Sequence, residues 1–312
     1  MYPKRLILDD ARQMGVTLLP VDVNYSGLTY TVERVDASTA REPMTAFDGA
    51  STGRSLKLPD ARGYAIRMSL SDLSGISATE VNNIIAGQPY LDLSDFYARA
   101  GASYPTTERL VLIGAFDGVH NIDVTHINRR DLLLHLSDLH RSPSRSLGGA
   151  QLNFGFTPPA LISSGLPDLT SGEKVGHEVE HLGMEISHHL LEFYADFLNK
   201  IGAVRSSDLL AQRSGSLVLV AGVKVAMQTP PVRSGKRVIF LSLDDGYGCN
   251  DATFFSDAQR DYADVLFHSR LFLVRGHVRR TGPRGVSLWA TGAWELRSAY
   301  EKWSRNQSTL VT

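Results

Sequence analysis

LVLVAGVKVAM, residues 217–227, alternates: Leu217, Leu219, Ala221, Val223 and Val225 share one face and Lys224 lies on the other. Period-two alternation is the mark of a β-strand. Further strand-like runs follow at 237–243, 250–255, 270–280 and 285–292, with turn signals at Ser234-Gly235, Asp245-Gly246 and Gly282-Pro283. Between the third and fourth runs, SDAQRDYADVL has the length of a short helix. Five strands with a helix after the third is the order of an OB barrel, which is assigned to residues 215–296. Residues 297–312 are left as a C-terminal tail.

Upstream of the barrel the pattern changes to helices. Residues 173–213 read as a helical connector. Residues 141–172 (RSPSRSLGGAQLNFGFTPPALISSGLPDLTSG) repeat Ser, Pro and Gly and read as a linker. From Tyr64 to about Leu139, short helical pieces are split by glycine-containing turns: LSDLSGIS, VNNIIAG, LSDFYARA, TTERLVLIGAFDGV and NRRDLLLHLSDL. Residues 38–60 lack periodicity and read as a loop. At the start, residues 4–14 have helical spacing with Gly15 as a stop, and VTLLPVDVNYSG reads as a short strand entering a turn. The fold class is therefore multidomain α+β, a helical module followed by a five-stranded barrel.

Bulk properties narrow the classes. The chain has 312 residues, 43% of them hydrophobic, enough for two or three domains with their own cores. One cysteine, Cys249, forms neither an internal disulfide nor a cysteine-based zinc site. The N-terminus has no signal-peptide core and no run reaches membrane-spanning length, so the expected compartment is the cytoplasm and no membrane partner is expected. Net charge is −1. Its distribution is uneven: residues 215–296 carry ten Lys or Arg against seven Asp or Glu, a balance of +3 that leaves −4 for the remainder. That excess suits a solvated surface as well as a phosphate track.

Several motifs carry chemistry. Leu73-Ser74-Gly75-Ile76-Ser77, followed by Val81, Ile84 and Ile85, resembles the hairpin of a helix-hairpin-helix module, in which backbone N–H groups point at phosphates. Ser77 stands where a second glycine is expected. Leu112-Ile113-Gly114-Ala115-Phe116-Asp117-Gly118 reads as a second hairpin, although Gly114 and Gly118 also suit ordinary helix stops. The DNA-contacting candidates here are Ser74, Gly75, Ile76, Ser77 and Gly114. On the barrel they are Lys224, Arg233, Lys236, Arg237, Phe254, Phe255, Arg275, Arg279 and Arg280, since aromatics stack on bases and basic groups follow the backbone. One face of each barrel strand is core, so at least one of Phe254 and Phe255 is expected to be buried.

His177-Glu178-Val179-Glu180-His181 matches the HExxH zinc-hydrolase pattern, two imidazoles one turn apart with a glutamate placed to activate water. The extended motif needs Gly and His where Met184 and Ser187 stand, and His188 is one place out of register. Glu192 or Asp196 is the candidate third ligand. The competing reading is an amphipathic helix with Val175, Val179, Leu182 and Ile186 on its apolar face. Asp244, Asp245 and Asp251 are close in sequence, and polymerase chemistry needs clustered carboxylates for two metal ions. Asp244-Asp245-Gly246 instead reads as a turn between strands.

The order of pieces adds a resemblance. YPKRLILDDARQMGV and LLPVDVNYSG, then hairpins ending in IGAFDGV, then VLVAGVKVAMQTPPVRSGKRVIFLSLDDGYGCNDATFF and RRTGPRGVSLWATGAWEL resemble the C-terminal part of bacterial DNA polymerase III alpha-type proteins, nearest the error-prone branch. The resemblance covers most of the chain outside 38–60 and 141–172. It implies that residues 1–37 end a fingers domain, 60–140 form a tandem helix-hairpin-helix module, and 215–296 form a DNA-binding OB domain. The palm with its catalytic aspartates would lie upstream, so this chain is expected to bind single-stranded and duplex DNA without polymerising, with no cofactor of its own and magnesium in the full polymerase. A start at Met1 inside a fingers domain implies a truncated or split frame. The missing catalytic part, a sliding clamp and other replication proteins are the expected protein partners. Beside this stand two alternatives: an HExxH zinc hydrolase, and a protein–protein interaction module of the replication machinery.

Overall fold

The computed structural model describes residues 4–36, 45–46, 56–57, 60–122, 124–141, 160–230, 237–280, 282 and 285–308. Its helices are α1 (Lys4–Gln13), α2 (Ala78–Gly87), α3 (Leu93–Arg99), α4 (Tyr104–Leu112), α5 (Asp117–His120), α6 (Arg129–Arg141), α7 (Ser171–Leu182), α8 (Ala195–Lys200), α9 (Ser256–His268) and α10 (Leu296–Ser308). Its strands are β1 (Thr17–Leu19), β2 (Thr31–Arg34), β3 (Thr45–Ala46), β4 (Leu56–Lys57), β5 (Tyr64–Arg67), β6 (Leu217–Gln228), β7 (Ile239–Asp244), β8 (Cys249–Phe254), β9 (Leu271–Arg280) and β10 (Val286–Glu295). The chain divides into a helical unit, Val16–Ala40 with Arg62–His188, and a barrel unit, Met1–Gly15 with Arg41–Ala61 and His189–Thr312.

In the helical unit, β5 is the centre of a small sheet, parallel to β1 and antiparallel to β2. This corrects the sequence reading, in which the helical stretch begins at Tyr64. Residues 64–67 are too few for a helix, and Ala65 is fully buried while Tyr64 is exposed. Arg67 grips Glu33 across the sheet with two hydrogen bonds of 2.8 and 3.0 Å. The helices that follow begin where the sequence supplies caps: Ser77, Asp92 and Ser103 each accept an N–H of the first turn, satisfying donors that a helix start leaves open. Their apolar sides meet around Phe96, which packs edge-to-face on Tyr90 and on Phe116 at 4.8 and 5.0 Å between ring centroids.

Much of the expected linker, residues 142–159, lies outside the described residues. The rest of it is fixed to α6. Ser164 gives both its N–H and its hydroxyl to Asp131, Asn128 donates to the Leu166 carbonyl, and the Arg129 N–H reaches Asp168. The connector read at 173–213 also divides, because α7 belongs to the helical unit while α8 belongs to the barrel unit. The loop read at 38–60 lies outside the described residues except for residue 60 and the backbone ladder of β3 with β4.

The barrel closes in the order β10-β8-β7-β6-β9, with β10 and β8 parallel and the other neighbours antiparallel. Its core gathers Val220, Leu241, Leu243, Phe254, Phe272 and Leu288, with Leu266 of α9. The first strand departs from its reading in one respect. The face that carries Leu219, Ala221 and Val223 does not line the barrel; it packs on a second cluster with Phe197, Leu296, Tyr300 and Trp303, while Val218 and Val220 point inward. Both faces of β6 are therefore apolar for separate reasons. Of the residues read as a C-terminal tail, 297–308 belong to α10, held to this second cluster through Leu296, Tyr300 and Trp303. Leu296 is fully buried, so Leu296→Ala is expected to destabilise the barrel unit by about 2–5 kcal/mol, read from the midpoint of urea unfolding. A loss under about 0.5 kcal/mol would show that α10 does not pack as described.

Candidate nucleic-acid interface

The first hairpin is a turn between a short 3₁₀ segment, Leu70–Asp72, and α2. Gly75 has φ +77°, a backbone conformation open mainly to glycine. Ser77 is extended at φ −88°, which explains why no second glycine is needed there. Its hydroxyl accepts the Glu80 N–H, and the Glu80 carboxylate accepts the Ser77 N–H at 3.0 Å and hydroxyl at 2.9 Å, a complete capping box. The other Glu80 oxygen accepts the Ser103 N–H at 2.9 Å. The hairpin is braced from both sides: Arg109 donates to the Ser74 carbonyl at 2.8 Å and Ser74 N–H donates to the His181 carbonyl at 2.7 Å. Ser74, Gly75 and Ser77 stay exposed, and Ile76 is half-buried. Of the first-turn N–H groups of α2, that of Glu80 is taken by the Ser77 hydroxyl, and those of Ala78 and Thr79 have no intrahelical acceptor.

The second hairpin is built differently, and Gly114 is withdrawn from the DNA-contact set. The Ala115 N–H bonds to Leu110 O and the Gly114 N–H to Val111 O, the pair of hydrogen bonds of a Schellman helix stop. Gly114 has φ +83° and is buried, and a Cβ there would stand 2.2 Å from a guanidinium nitrogen of Arg129. That guanidinium donates to Leu112 O at 2.8 Å and pairs with Asp117 at 2.6 Å. The backbone donors a phosphate would need are spent inside the turn.

On the barrel, Phe254 is fully buried and is likewise withdrawn, because it closes the core. Phe255 is 36% exposed and packs edge-on against Trp289, 5.3 Å between centroids. The register places Trp289 opposite Thr253 and His277, Thr253 opposite Phe240, and His277 opposite Leu217. Directly paired residues share a face, so Phe240, Thr253, Trp289, His277 and Leu217 form one outward row across all five strands. Phe240 and Trp289 are 41% and 53% exposed. Sequence reasoning missed both. The signal was available, since Phe240 alternates with Ile239 and Leu241, and Trp289 with Leu288 and Ala290, all core residues.

The basic candidates divide by surroundings. Arg279 is exposed on β9 opposite Ser287, one side-chain step from His277. Arg275 is exposed over the Trp294 ring at 5.5 Å. Arg237 is exposed where β7 is about to begin. Arg280 is exposed but donates to the carbonyls of Leu210 and Gln212, fixing the segment before β6. Lys224 is half-buried, turned toward the Leu266 carbonyl at 3.4 Å and the Phe272 ring at 5.5 Å, and does not join the row. Arg233 and Lys236 lie outside the described residues.

The HExxH segment does not assemble as a hydrolase. Glu178, the would-be base, is 3% exposed and accepts the N–H groups of Ile186 and Ser187 at 2.7 and 3.0 Å, so it closes the loop after α7 in place of activating water. The proposed third ligands, Glu192 and Asp196, belong to the barrel unit. The aspartates near 244 are structural as well. Asp244 accepts from Gly246 N–H and stands 3.4 Å from His189 and 3.6 Å from Arg5. Although burial raises its pKa, these partners outweigh it and hold the carboxyl below the usual range. Asp245 accepts the Ser206 N–H and hydroxyl, and Asp251 accepts the Ser242 hydroxyl.

Comparison with known proteins agrees with this division. A family profile described as a helix-hairpin-helix motif matches residues 15–132, and one described as an OB-fold nucleic acid binding domain matches 218–296. An error-prone DNA polymerase of Symbiobacterium thermophilum is 34% identical over 288 residues, covering 85% of this chain and 25% of that protein. This chain is a relative of the error-prone DNA polymerases and DNA polymerase III alpha subunits. Error-prone DNA polymerase 1 of Rhizobium meliloti is 27% identical, covering 89% of the chain and 24% of the relative. The DNA polymerase III subunit alpha of Vibrio cholerae is 25% identical, covering 98% and 25%. The chain therefore spans about a quarter of the length of these polymerases. Among the described residues no helix is long and apolar enough to cross a membrane.

Two outcomes check the hairpins. Gly114→Ala must both abandon a positive φ and displace Arg129, so a loss of roughly 1–3 kcal/mol is expected in thermal or urea unfolding; wild-type stability would mean that the turn is not closed as described. Burial tends to raise the Glu80 pKa, but the hydrogen bonds from Ser103 and Ser77 prevail and bring it from 4.5 to about 2. A carboxyl depressed on folding contributes stability that is complete above its unfolded pKa and is lost as pH falls through the folded one. Glu80→Gln should therefore flatten the pH dependence of unfolding between about pH 4.5 and 2. An unchanged acid limb would count against the capping box.

Proposed function

We propose that this chain is the DNA-binding part of an error-prone DNA polymerase III alpha-type enzyme, in which the barrel holds single-stranded template and the first hairpin meets the duplex backbone. The observation that carries the reading is the outward row with Phe240 and Trp289, backed by Phe255 and flanked by Arg279. Exposed aromatics on successive strands offer π-faces to successive bases, and such stacking tolerates any sequence. An apolar ring left in water without a ligand gains nothing from its exposure.

At the hairpin, Ser74, Gly75, Ile76 and Ser77 with the first turn of α2 form the contact. The N-terminal end of a helix attracts phosphate through its open N–H groups and dipole. Glu80 restrains that attraction, so the hairpin contributes position more than affinity. Arg275, Arg279, Arg280 and Arg237 supply charge along the strand path. Nucleotidyl transfer, its magnesium ions and any tolerance of damaged template belong on this reading to the complete polymerase, and the isolated chain binds without polymerising.

Fluorescence anisotropy with a labelled oligo-dT tests the barrel. Each stacked base is worth about 1–3 kcal/mol, so Trp289→Ala should weaken binding roughly 5- to 100-fold, and raised salt should weaken the wild type further. Undiminished affinity in a Phe240→Ala/Trp289→Ala double variant would remove the barrel face from the interface.

A further inference from the structure

Helix α7 brings three ligand-type side chains to one side. His177, Glu180 and His181 stand at i, i+3 and i+4. One ligand atom from each of the three lies within 4.8 Å of the other two, the one such cluster among the described residues. The two imidazoles are parallel within 5°, with centroids 5.8 Å apart. Glu180 Oε2 is 3.7 Å from His177 Nδ1 and 4.0 Å from His181 Nε2. Both nitrogens are buried and make no hydrogen bond. Buried polar atoms in that state call for a partner.

We propose that His177, Glu180 and His181 bind one divalent first-row metal ion, with zinc as the ion that suits them best. Two imidazoles and a carboxylate are a zinc-type donor set, and bonds of about 2.0–2.2 Å place neighbouring tetrahedral ligands about 3.3 Å apart. The carboxylate has less than about an ångström to close to reach that spacing. Its side chain is 67% exposed, whereas those of His177 and His181 are 26% and 12% exposed, and a turn of the stacked imidazoles brings their ring nitrogens onto a common ion.

This site differs from an HExxH hydrolase centre. The glutamate it uses is Glu180, and Glu178 is committed to Ile186 and Ser187. A fourth position remains for water, with no base beside it supplied by this motif. The site is also tied to the hairpin: the His181 carbonyl accepts the Ser74 N–H, so an ion that fixes the last turn of α7 fixes a brace of the first hairpin.

The test uses the full chain, stripped with a chelator and titrated with zinc by calorimetry and with cobalt by visible absorption. The expected result is one ion per chain and a cobalt spectrum of tetrahedral type. His177→Ala/His181→Ala should weaken zinc binding about 100-fold or more. Glu180→Ala alters only an exposed side chain, so it keeps the fold and should weaken binding about 10-fold. No saturable binding, or one-to-one binding that neither variant weakens, overturns the proposal.

Discussion

The barrel unit depends on a strand with two buried faces. Inward, Val218 and Val220 of β6 join the barrel core; outward, Leu219, Ala221 and Val223 lie against Phe197, Leu296, Tyr300 and Trp303. Burial of apolar surface is non-directional, but a strand apolar on both sides must be covered on both. Helices α8 and α10 supply the outer cover, and they also receive Leu271 and Leu273 of β9. The row through Phe240 and Trp289 lies elsewhere on the barrel wall. Its aromatic exposure is consequently a property of that face and not of the barrel as a whole.

Carboxylates show a second constraint. Asp117, Asp131, Glu178, Asp244 and Asp245 each accept hydrogen bonds that fix a turn or a neighbouring segment. A buried carboxylate is tolerated when its lone pairs are filled by backbone N–H groups or a cation. These acidic residues thus serve as fasteners of turns and neighbouring segments.

Strand order, the helix after the third strand and the helical character of residues 78–141 were legible because each rests on local periodicity or caps that the side chains display directly. Residues 64–67 were not, because a four-residue strand has too short a period to separate from helix, and its partners β1 and β2 are distant in sequence. The choice between Phe254 and Phe255 required knowing which side of β8 is core. The role of Gly114 was hidden for a different reason: a glycine at positive φ serves a phosphate-binding turn or a helix stop equally well, and only Arg129, fifteen residues on, decides between them. In HEVEH, the pattern does not show that His177, Glu180 and His181 lie together while Glu178 turns inward to Ile186 and Ser187.

The barrel unit is discontinuous, and that bears on how the chain is made. Helix α1 precedes the helical unit in the chain, yet Arg5 meets Asp244, at the far end of β7. All of the helical unit is synthesised between the two. Domains fold as their residues become available, so the helical unit has its last residue, His188, before the first barrel strand exists. Arg5 must wait through that interval before Asp244 exists to receive it, so the barrel unit closes on a segment made before the helical unit.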